Sequence, residues 1–198
     1  MNPQSLNVLV VVPTLQVGAA DTGAVELVRI LSAAGHKSIV ASSGGRLAPV
    51  VEAAGGENVL LDMDSQNPAV VFRNIFALAR IVRERRCDVV HAHGRAAAWS
   101  AFGCAKLTGV PFLTTWHKGF RQQNAFKRVY NSVMARGARV IAVSEQIALL
   151  VNDRYGTPWD RIVVVPASVD TAKFDPATFR ASVSMRREAP GVSGAMRS

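Results

Sequence analysis

The chain has 198 residues, of which 49% are hydrophobic and 19% are charged, and it carries a formal net charge of +9. This composition is sufficient for a buried core in one large domain or two small ones, and no apolar run reaches the roughly 18 to 20 residues that a membrane-spanning helix needs. The two cysteines have no CxxC spacing, which excludes a disulfide-rich class and argues against a zinc site.

The first apolar run lies within MNPQSLNVLVVVP, which has neither a basic n-region nor a cleavage site. We therefore expect a first strand there, and not a signal peptide. Two buried, reduced cysteines fit the same interpretation, so the expected location is the cytoplasm.

The positive charge is concentrated in the middle of the chain. Residues 89–144 carry eight lysines or arginines and no Asp or Glu, whereas the segments before and after are nearly balanced. These cations are Arg95, Lys106, Lys118, Arg121, Lys127, Arg128, Arg136 and Arg139. A field of one sign attracts phosphates, acidic sugars or lipid head groups, although a solvated helix face beside acids from elsewhere is an alternative. The segment has no nucleic-acid-binding motif, so we do not expect a nucleic-acid partner.

Short β-branched apolar runs alternate with helical stretches along the chain. The predicted strands are 7–12, 38–41, 59–61, 88–91, 112–116, 140–143 and 162–165. The predicted helices are 23–34, 47–54, 69–86, 95–107, 125–135 and 145–154. This alternation predicts the α/β class, with a doubly wound, Rossmann-like parallel sheet of about seven strands. The pattern of residues 171–180 predicts one short helix. Residues 181–198 lack an apolar period, which predicts a disordered tail.

The loop after the first strand contains two glycines, Gly18 and Gly23. They would let backbone N–H groups approach an anion at the N-terminus of the next helix. The loop lacks the G-x-G-x-x-G fingerprint of dinucleotide sites, and Ala24 and Val25 stand where a P-loop has its lysine and hydroxyl residue. A purely conformational role for both glycines is an equal alternative.

Histidines stand at the downstream ends of two successive strands. His91 ends one predicted strand, His93 lies two residues beyond it, and His117 follows the next strand. Because parallel strands deliver their carboxyl ends to one crevice, His93 and His117 should be close if the strands are adjacent. A neutral imidazole there could accept a proton from a substrate hydroxyl, and a structural role is the alternative for each. No carboxylate stands near them in sequence, so we do not expect a metal.

Five stretches of the sequence together resemble one protein family. They are VLVVVPTLQVGAADTGAVELVRILSAAGH, CDVVHAHGRAAAWSAF, GVPFLTTWHKGF, RVIAVSEQIA and RIVVVPASVD. In this order and spacing they resemble the N-terminal domain of GT-B glycosyltransferases of the retaining family 4, in particular bacterial members that act on lipopolysaccharide or related surface glycans. The resemblance covers about residues 6–175.

The resemblance implies a two-domain enzyme with an acceptor-side and a donor-side half. Residues 1–170 would be the acceptor-side domain and 171–198 a truncated linker or tail, and the C-terminal donor-binding domain would be missing. It also implies that His117 lies beside the transferred sugar and that Gly18 and Gly23 touch the donor phosphates, with contact to the acceptor as the alternative. The residues implied on the acceptor side are His93, Arg95, Lys118 and Arg121. Ala19 replaces a glycine that is usual in relatives, and its methyl group would obstruct a close approach of the donor phosphates to this loop.

The implied reaction is transfer of a sugar from a nucleotide-sugar co-substrate to a glycan or lipid-linked acceptor in cell-envelope polysaccharide synthesis. No metal or other cofactor is implied, and we expect little or no activity from this chain alone. The basic segment would hold the protein on an anionic membrane surface at the inner face of the cell membrane. The alternatives are a stand-alone acceptor-binding or membrane-associated module and a sugar epimerase built on the same two-domain plan.

Overall fold

The computed structural model describes residues 5–119 and 124–166, in which strands and helices alternate. The strands are β1 (Asn7–Val11), β2 (Lys37–Ser42), β3 (Glu57–Leu60), β4 (Val89–His93), β5 (Phe112–Trp116), β6 (Arg139–Ala142) and β7 (Ile162–Val164). The helices are α1 (Ala19–Ala33), α2 (Ala48–Ala53), α3 (Pro68–Glu84), α4 (Arg95–Thr108), α5 (Ala125–Ser132) and α6 (Glu145–Tyr155). The predicted boundary at 170, the helix over 171–180 and the tail over 181–198 lie outside the described residues.

The seven strands form one parallel sheet in the order β3-β2-β1-β4-β5-β6-β7. This order confirms the predicted α/β class and the doubly wound arrangement. Strands β2 and β3 follow β1 on one side of it, and β4 lies on the other side of β1, followed by β5, β6 and β7. The strand order therefore reverses between β1 and β4, which is the position where ligands bind in open parallel sheets.

Apolar clusters cover both faces of the sheet, because successive side chains of a strand point to opposite sides. In one cluster Val10 of β1 joins Val28 of α1 and Val51 of α2. In the other cluster Leu9 of β1 joins Leu78 of α3 and the buried residues of α4. Burial on both faces explains why β1 is a continuous apolar run and not an alternating one.

The two largest differences from the predicted boundaries at the carboxyl edge of the sheet are in α1 and β4. Helix α1 begins at Ala19 instead of residue 23, because the Asp21 carboxylate accepts a hydrogen bond from the N–H of Gly18 at 2.9 Å and so caps the helix. Strand β4 extends to His93 instead of ending at residue 91.

Along the part of the chain that the structure describes, no helix combines the length and apolar content that crossing a membrane requires.

Candidate active site

The crevice at the reversal of strand order is formed by the loop after β1 and the turn after β4. Gly94 follows β4 with φ of +98°, a conformation that other L-residues rarely adopt. A Cβ at Gly94 would also come within 3.1 Å of the Pro13 ring in the β1 loop. Glycine at this position thus allows the two loops to approach closely and α4 to start directly after the histidines of β4.

Three imidazoles form a cluster at the ends of β4 and β5. The strands are adjacent, with His93 opposite Thr115 in the register. Nδ1 of His93 lies 2.9 Å from Nε2 of His117, and Nε2 of His91 lies 2.8 Å from Oγ1 of Thr115. The ring centroids of His91 and His93 are 4.5 Å apart, and those of His93 and His117 are 5.1 Å apart. The structure therefore brings together the three histidines that the sequence placed at neighbouring strand ends.

Burial keeps this cluster uncharged at neutral pH. His91 is 5% exposed and His93 is 2% exposed. Desolvation lowers the pKa of His91 to about 4 and lowers the pKa of His93 well below its usual value. Desolvation also lowers the pKa of His117, and the negative charge of Asp21 partly opposes that shift. All three rings are therefore neutral imidazoles, each with one N–H donor and one acceptor nitrogen.

The surroundings of His93 favour one tautomer. Its Nε2 is buried and has no hydrogen-bond partner among the described residues. An unpaired buried N–H costs more than an unpaired acceptor nitrogen, so we assign the proton of His93 to Nδ1. Nδ1–H then donates to Nε2 of His117, and the proton of His117 is on its own Nδ1.

The carboxylate of Asp21 organises the loop before α1. Asp21 is 6% exposed and accepts hydrogen bonds from the N–H of Gly18 at 2.9 Å, the N–H of Gln16 at 3.1 Å and the hydroxyl of Thr14 at 3.2 Å. From the sequence, the N–H of Gly18 was predicted to approach an external anion. In the structure it donates to a carboxylate of the chain itself, that of Asp21. This arrangement fixes the conformation of the loop.

Gly23 faces the imidazole of His117. A Cβ at Gly23 would overlap Cε1 of His117 and would lie 3.2 Å from its Nε2. The N-terminal part of α1 therefore packs its backbone directly against the ring. His117 is thus held between His93 on one side and Gly23 on the other.

A cavity of about 840 Å³ lies between α3, α4 and α5. Its walls are mainly apolar, and its described lining includes three cations, Arg95, Lys118 and Lys127, but no Asp or Glu. Arg95 is the first residue of α4, and Lys118 directly follows His117. The cavity wall therefore includes residues adjacent in sequence to the histidine cluster.

The residues predicted on the acceptor side fall into three groups. Arg95 and Lys118 line the same cavity. His93 is buried behind His117 and does not line it, which leaves its imidazole poorly placed to touch an acceptor. Arg121 lies outside the described residues.

Sequence reasoning gave no role to Asp21 or to the aromatic residues of the cavity. Asp21 stands at the third position of α1, where an acidic residue commonly caps a helix, so a capping signal was present in the sequence. Trp99 and Tyr130 line the cavity from α4 and α5, and the indole N–H of Trp99 donates to the Tyr130 carbonyl at 3.0 Å. No local sequence signal pairs these two residues, because they meet only through helix packing.

Within residues 5–119 and 124–166, no group of three or more His, Cys, Asp or Glu is placed to hold a metal ion. The histidine cluster is instead held together by contacts between rings and with Thr115.

The family model of Glycosyltransferase Family 4 matches residues 20–173. The chain belongs to glycosyltransferase family 4. A curated relative is the D-inositol 3-phosphate glycosyltransferase of Pseudarthrobacter chlorophenolicus, which is 28% identical over 104 residues that cover 46% of this chain and 25% of the relative.

Solved structures show the same half-molecule relationship for this family 4 chain. A glycosyltransferase from Rickettsia africae superposes with a TM-score of 0.78 at 29% identity, covering 98% of this chain and 54% of that protein. Anabaena HepE in complex with UDP-glucose superposes with a TM-score of 0.71 at 13% identity, covering 94% of this chain and 51% of HepE, a likeness of fold alone. The family 4 chain thus spans about half the length of these structures, and its seven-stranded sheet matches one half of the GT-B fold.

Proposed function

We propose that this chain is the acceptor-side half of a glycosyltransferase that transfers a sugar from a nucleotide-sugar to a glycan or lipid-linked acceptor of the cell envelope. The observation that carries the proposal is the placement of His117 at the reversal of strand order, held between His93 and Gly23. Membership in family 4 and the UDP-glucose present in the HepE complex support it. Membership in a glycosyltransferase family also favours transfer over epimerisation.

His117 is the proposed residue beside the transferred sugar. Its Nε2 is engaged with His93, so Nδ1–H is the group that it offers to a hydroxyl oxygen of the sugar. A neutral imidazole is suited to this contact, since it donates a hydrogen bond without placing a positive charge beside the developing sugar cation. His93 acts as a positioning residue that fixes the tautomer of His117.

The segment from Gly18 to Gly23, which comprises the N-cap and the first residues of α1, is proposed to face the donor. The first N–H groups of α1 have no partner within the helix and carry the positive end of its dipole, which suits a diphosphate leaving group. Asp21 already accepts from the N–H of Gly18, so the donor contact is made by the helix N-terminus beyond that residue. A second, donor-side domain completes this site.

The acceptor side is proposed to include Arg95, Lys118 and Arg121, which would hold an anionic group of the acceptor.

Helix α5 is proposed to contact an anionic membrane at the inner face of the cell membrane. Phe126 is 79% exposed and Val129 is 59% exposed on this helix, with Lys127 and Arg128 between them. Exposed apolar side chains beside cations fit the boundary between lipid head groups and acyl chains.

A second candidate function is a non-catalytic acceptor-binding module. It is favoured by the cavity, whose described walls all belong to this half of the fold. The two candidates differ in one outcome, since only the first predicts sugar transfer when a donor-side half is supplied.

The test is a chimera in which residues 1–170 of this chain are joined to the remaining half of the Rickettsia africae glycosyltransferase. We expect incorporation of label from a panel of nucleotide-sugars, UDP-glucose included, into a bacterial membrane-lipid extract. His117→Ala should lower turnover about a hundredfold, the usual effect of losing a proton-transfer or hydrogen-bonding group. His36→Ala is the control and should leave turnover unchanged, because His36 directly precedes β2 at the opposite, amino edge of the sheet. A folded chimera that binds UDP but makes no product would favour the second candidate, and unchanged turnover of His117→Ala would remove the role of His117.

A further inference from the structure

We infer that the cavity between α3, α4 and α5 binds an anionic amphiphile, namely the phosphate or diphosphate group of a lipid-linked acceptor together with the first part of its apolar chain. This inference rests on the proposed function and narrows its acceptor class. The cavity of about 840 Å³ falls within the usual range of small-molecule sites.

The walls of the cavity are suited to a hydrocarbon chain. The apolar side chains that line it come from all three helices: Val71, Ile75, Trp99, Phe102, Phe126 and Tyr130. Because the indole N–H of Trp99 already donates to the Tyr130 carbonyl, the ring presents carbon atoms to the cavity. A glycan alone would leave most of this surface without an apolar partner.

The charges of the cavity are suited to an anion. Arg95, Lys118 and Lys127 line it, and its described lining includes no acidic side chain. Lys118 directly follows His117, which places a cation of the cavity next to the proposed transfer centre. A phosphate bound there would therefore lie between the apolar chain in the cavity and the reacting end of the acceptor.

A buried donor provides independent evidence for a ligand. Asn131 of α5 lines the cavity and is only 2% exposed. Its Nδ2 has no hydrogen-bond partner within the described part of the chain. Buried amide donors are nearly always paired in native proteins, so this donor at the cavity wall lacks a partner that an oxygen of the bound molecule would supply once binding uncovers it.

The experiment measures binding of three soluble probes to the full chain by calorimetry, at probe concentrations below micelle formation. Octyl phosphate has both the anion and the chain, octyl glucoside has only the chain, and inorganic phosphate has only the anion. We expect octyl phosphate to bind about tenfold or more tightly than either of the others, because only it satisfies both parts of the site. Equal binding of octyl phosphate and octyl glucoside, or no binding of octyl phosphate, would overturn the inference.

Matched variants locate the binding. Ala96→Phe places a ring in the cavity and should abolish octyl phosphate binding, and Lys118→Gln should weaken it about threefold to tenfold. Lys106→Gln removes a cation of the same basic segment that does not line this cavity and should change binding less than about twofold. Unchanged affinity in a folded Ala96→Phe variant would place the amphiphile elsewhere and contradict the inference.

The chimera separates this inference from the proposed function. Transfer to a lipid-free glycan by the chimera, with no octyl phosphate binding by the chain, would remove the amphiphile site and leave the transferase proposal standing. Octyl phosphate binding that is lost in Ala96→Phe, together with a folded chimera that transfers no sugar, would support the cavity and remove the transferase proposal.

Discussion

Nδ1 of His93 lies 2.9 Å from Nε2 of His117, and this hydrogen bond joins a fully enclosed imidazole to one at the crevice. The two residues come from adjacent parallel strands whose carboxyl ends lie at the reversal of strand order. The other nitrogen of His93, Nε2, has no partner among the described residues, so His93 favours the tautomer with its proton on Nδ1. Because this N–H donates to Nε2 of His117, the proton of His117 is on its Nδ1. The buried residue therefore determines which nitrogen of His117 carries a proton.

The first prediction concerns this positioning role. His93→Phe removes the donor to Nε2 of His117 but keeps a planar ring, so in the chimera it should lower kcat about tenfold or more with little change in KM for the nucleotide-sugar. His93→Asn, whose amide N–H can donate to the same nitrogen, should restore part of kcat. A purely structural role would predict that both variants lose stability without this difference in kcat, as measured by steady-state kinetics and thermal unfolding.

Sequence patterns sufficed for the fold and for the neighbourhood of the histidines. The apolar runs around Val10 and Thr114 are long enough and bounded clearly enough to predict strands, and strand ends that share one edge follow from parallel topology. The early start of α1 was missed although Asp21 gives a capping signal, because that signal fixes the helix start only when its carboxylate turns back to the N–H of Gly18. The cavity was missed because Ile75 and Tyr130 line one cavity only when α3 and α5 pack near α4, and periodicity carries no information on that packing.

The second prediction uses the contact between Gly23 and His117. Alanine stabilises a helix interior relative to glycine by about 1 kcal/mol, yet here its Cβ would overlap the imidazole. Gly23→Ala should therefore destabilise the chain by about 1 to 3 kcal/mol, the usual cost of overpacking.

The same substitution in a His117→Ala background should instead stabilise the chain by about 1 kcal/mol, because the ring is gone. The measurement is the free energy of unfolding in urea for the four members of the double-mutant cycle. Equal effects of Gly23→Ala in both backgrounds would show that the two residues are not in contact.

The third prediction is a loss of stability in mild acid. Burial lowers the pKa of His91 to about 4 in the folded chain, whereas an unfolded histidine has a pKa of about 6.5. Between these two values the unfolded chain binds more protons than the folded one, so the free energy of unfolding rises with pH in this window and levels off above it. Each such histidine contributes a slope of about 1.4 kcal/mol per pH unit, and the lowered pKa values of His93 and His117 act in the same direction.

The check is urea unfolding at a series of pH values from 4.5 to 7.5. His91→Asn should reduce the slope between about pH 4.5 and 6 by about 1.4 kcal/mol per pH unit, whatever its effect on stability at pH 7. A slope identical to that of the unsubstituted chain would mean that His91 is not buried in its neutral form.

The fourth prediction is that the exposed face of α5 binds anionic membranes. Phe126→Ser removes an apolar side chain that is 79% exposed, so it should weaken binding to vesicles of phosphatidylglycerol and phosphatidylcholine without lowering the stability of the chain. Leu60→Ser is the matched control, because Leu60 is 71% exposed on β3 at the far edge of the sheet.

Raising the salt concentration from 0.05 to 0.5 M should also release the chain, since screening weakens the attraction between the basic segment and the lipid head groups. Cosedimentation with vesicles measures both effects, and the two substitutions must differ if α5 is the contact surface. Binding that Phe126→Ser and Leu60→Ser reduce equally, or that does not respond to salt, would contradict this assignment.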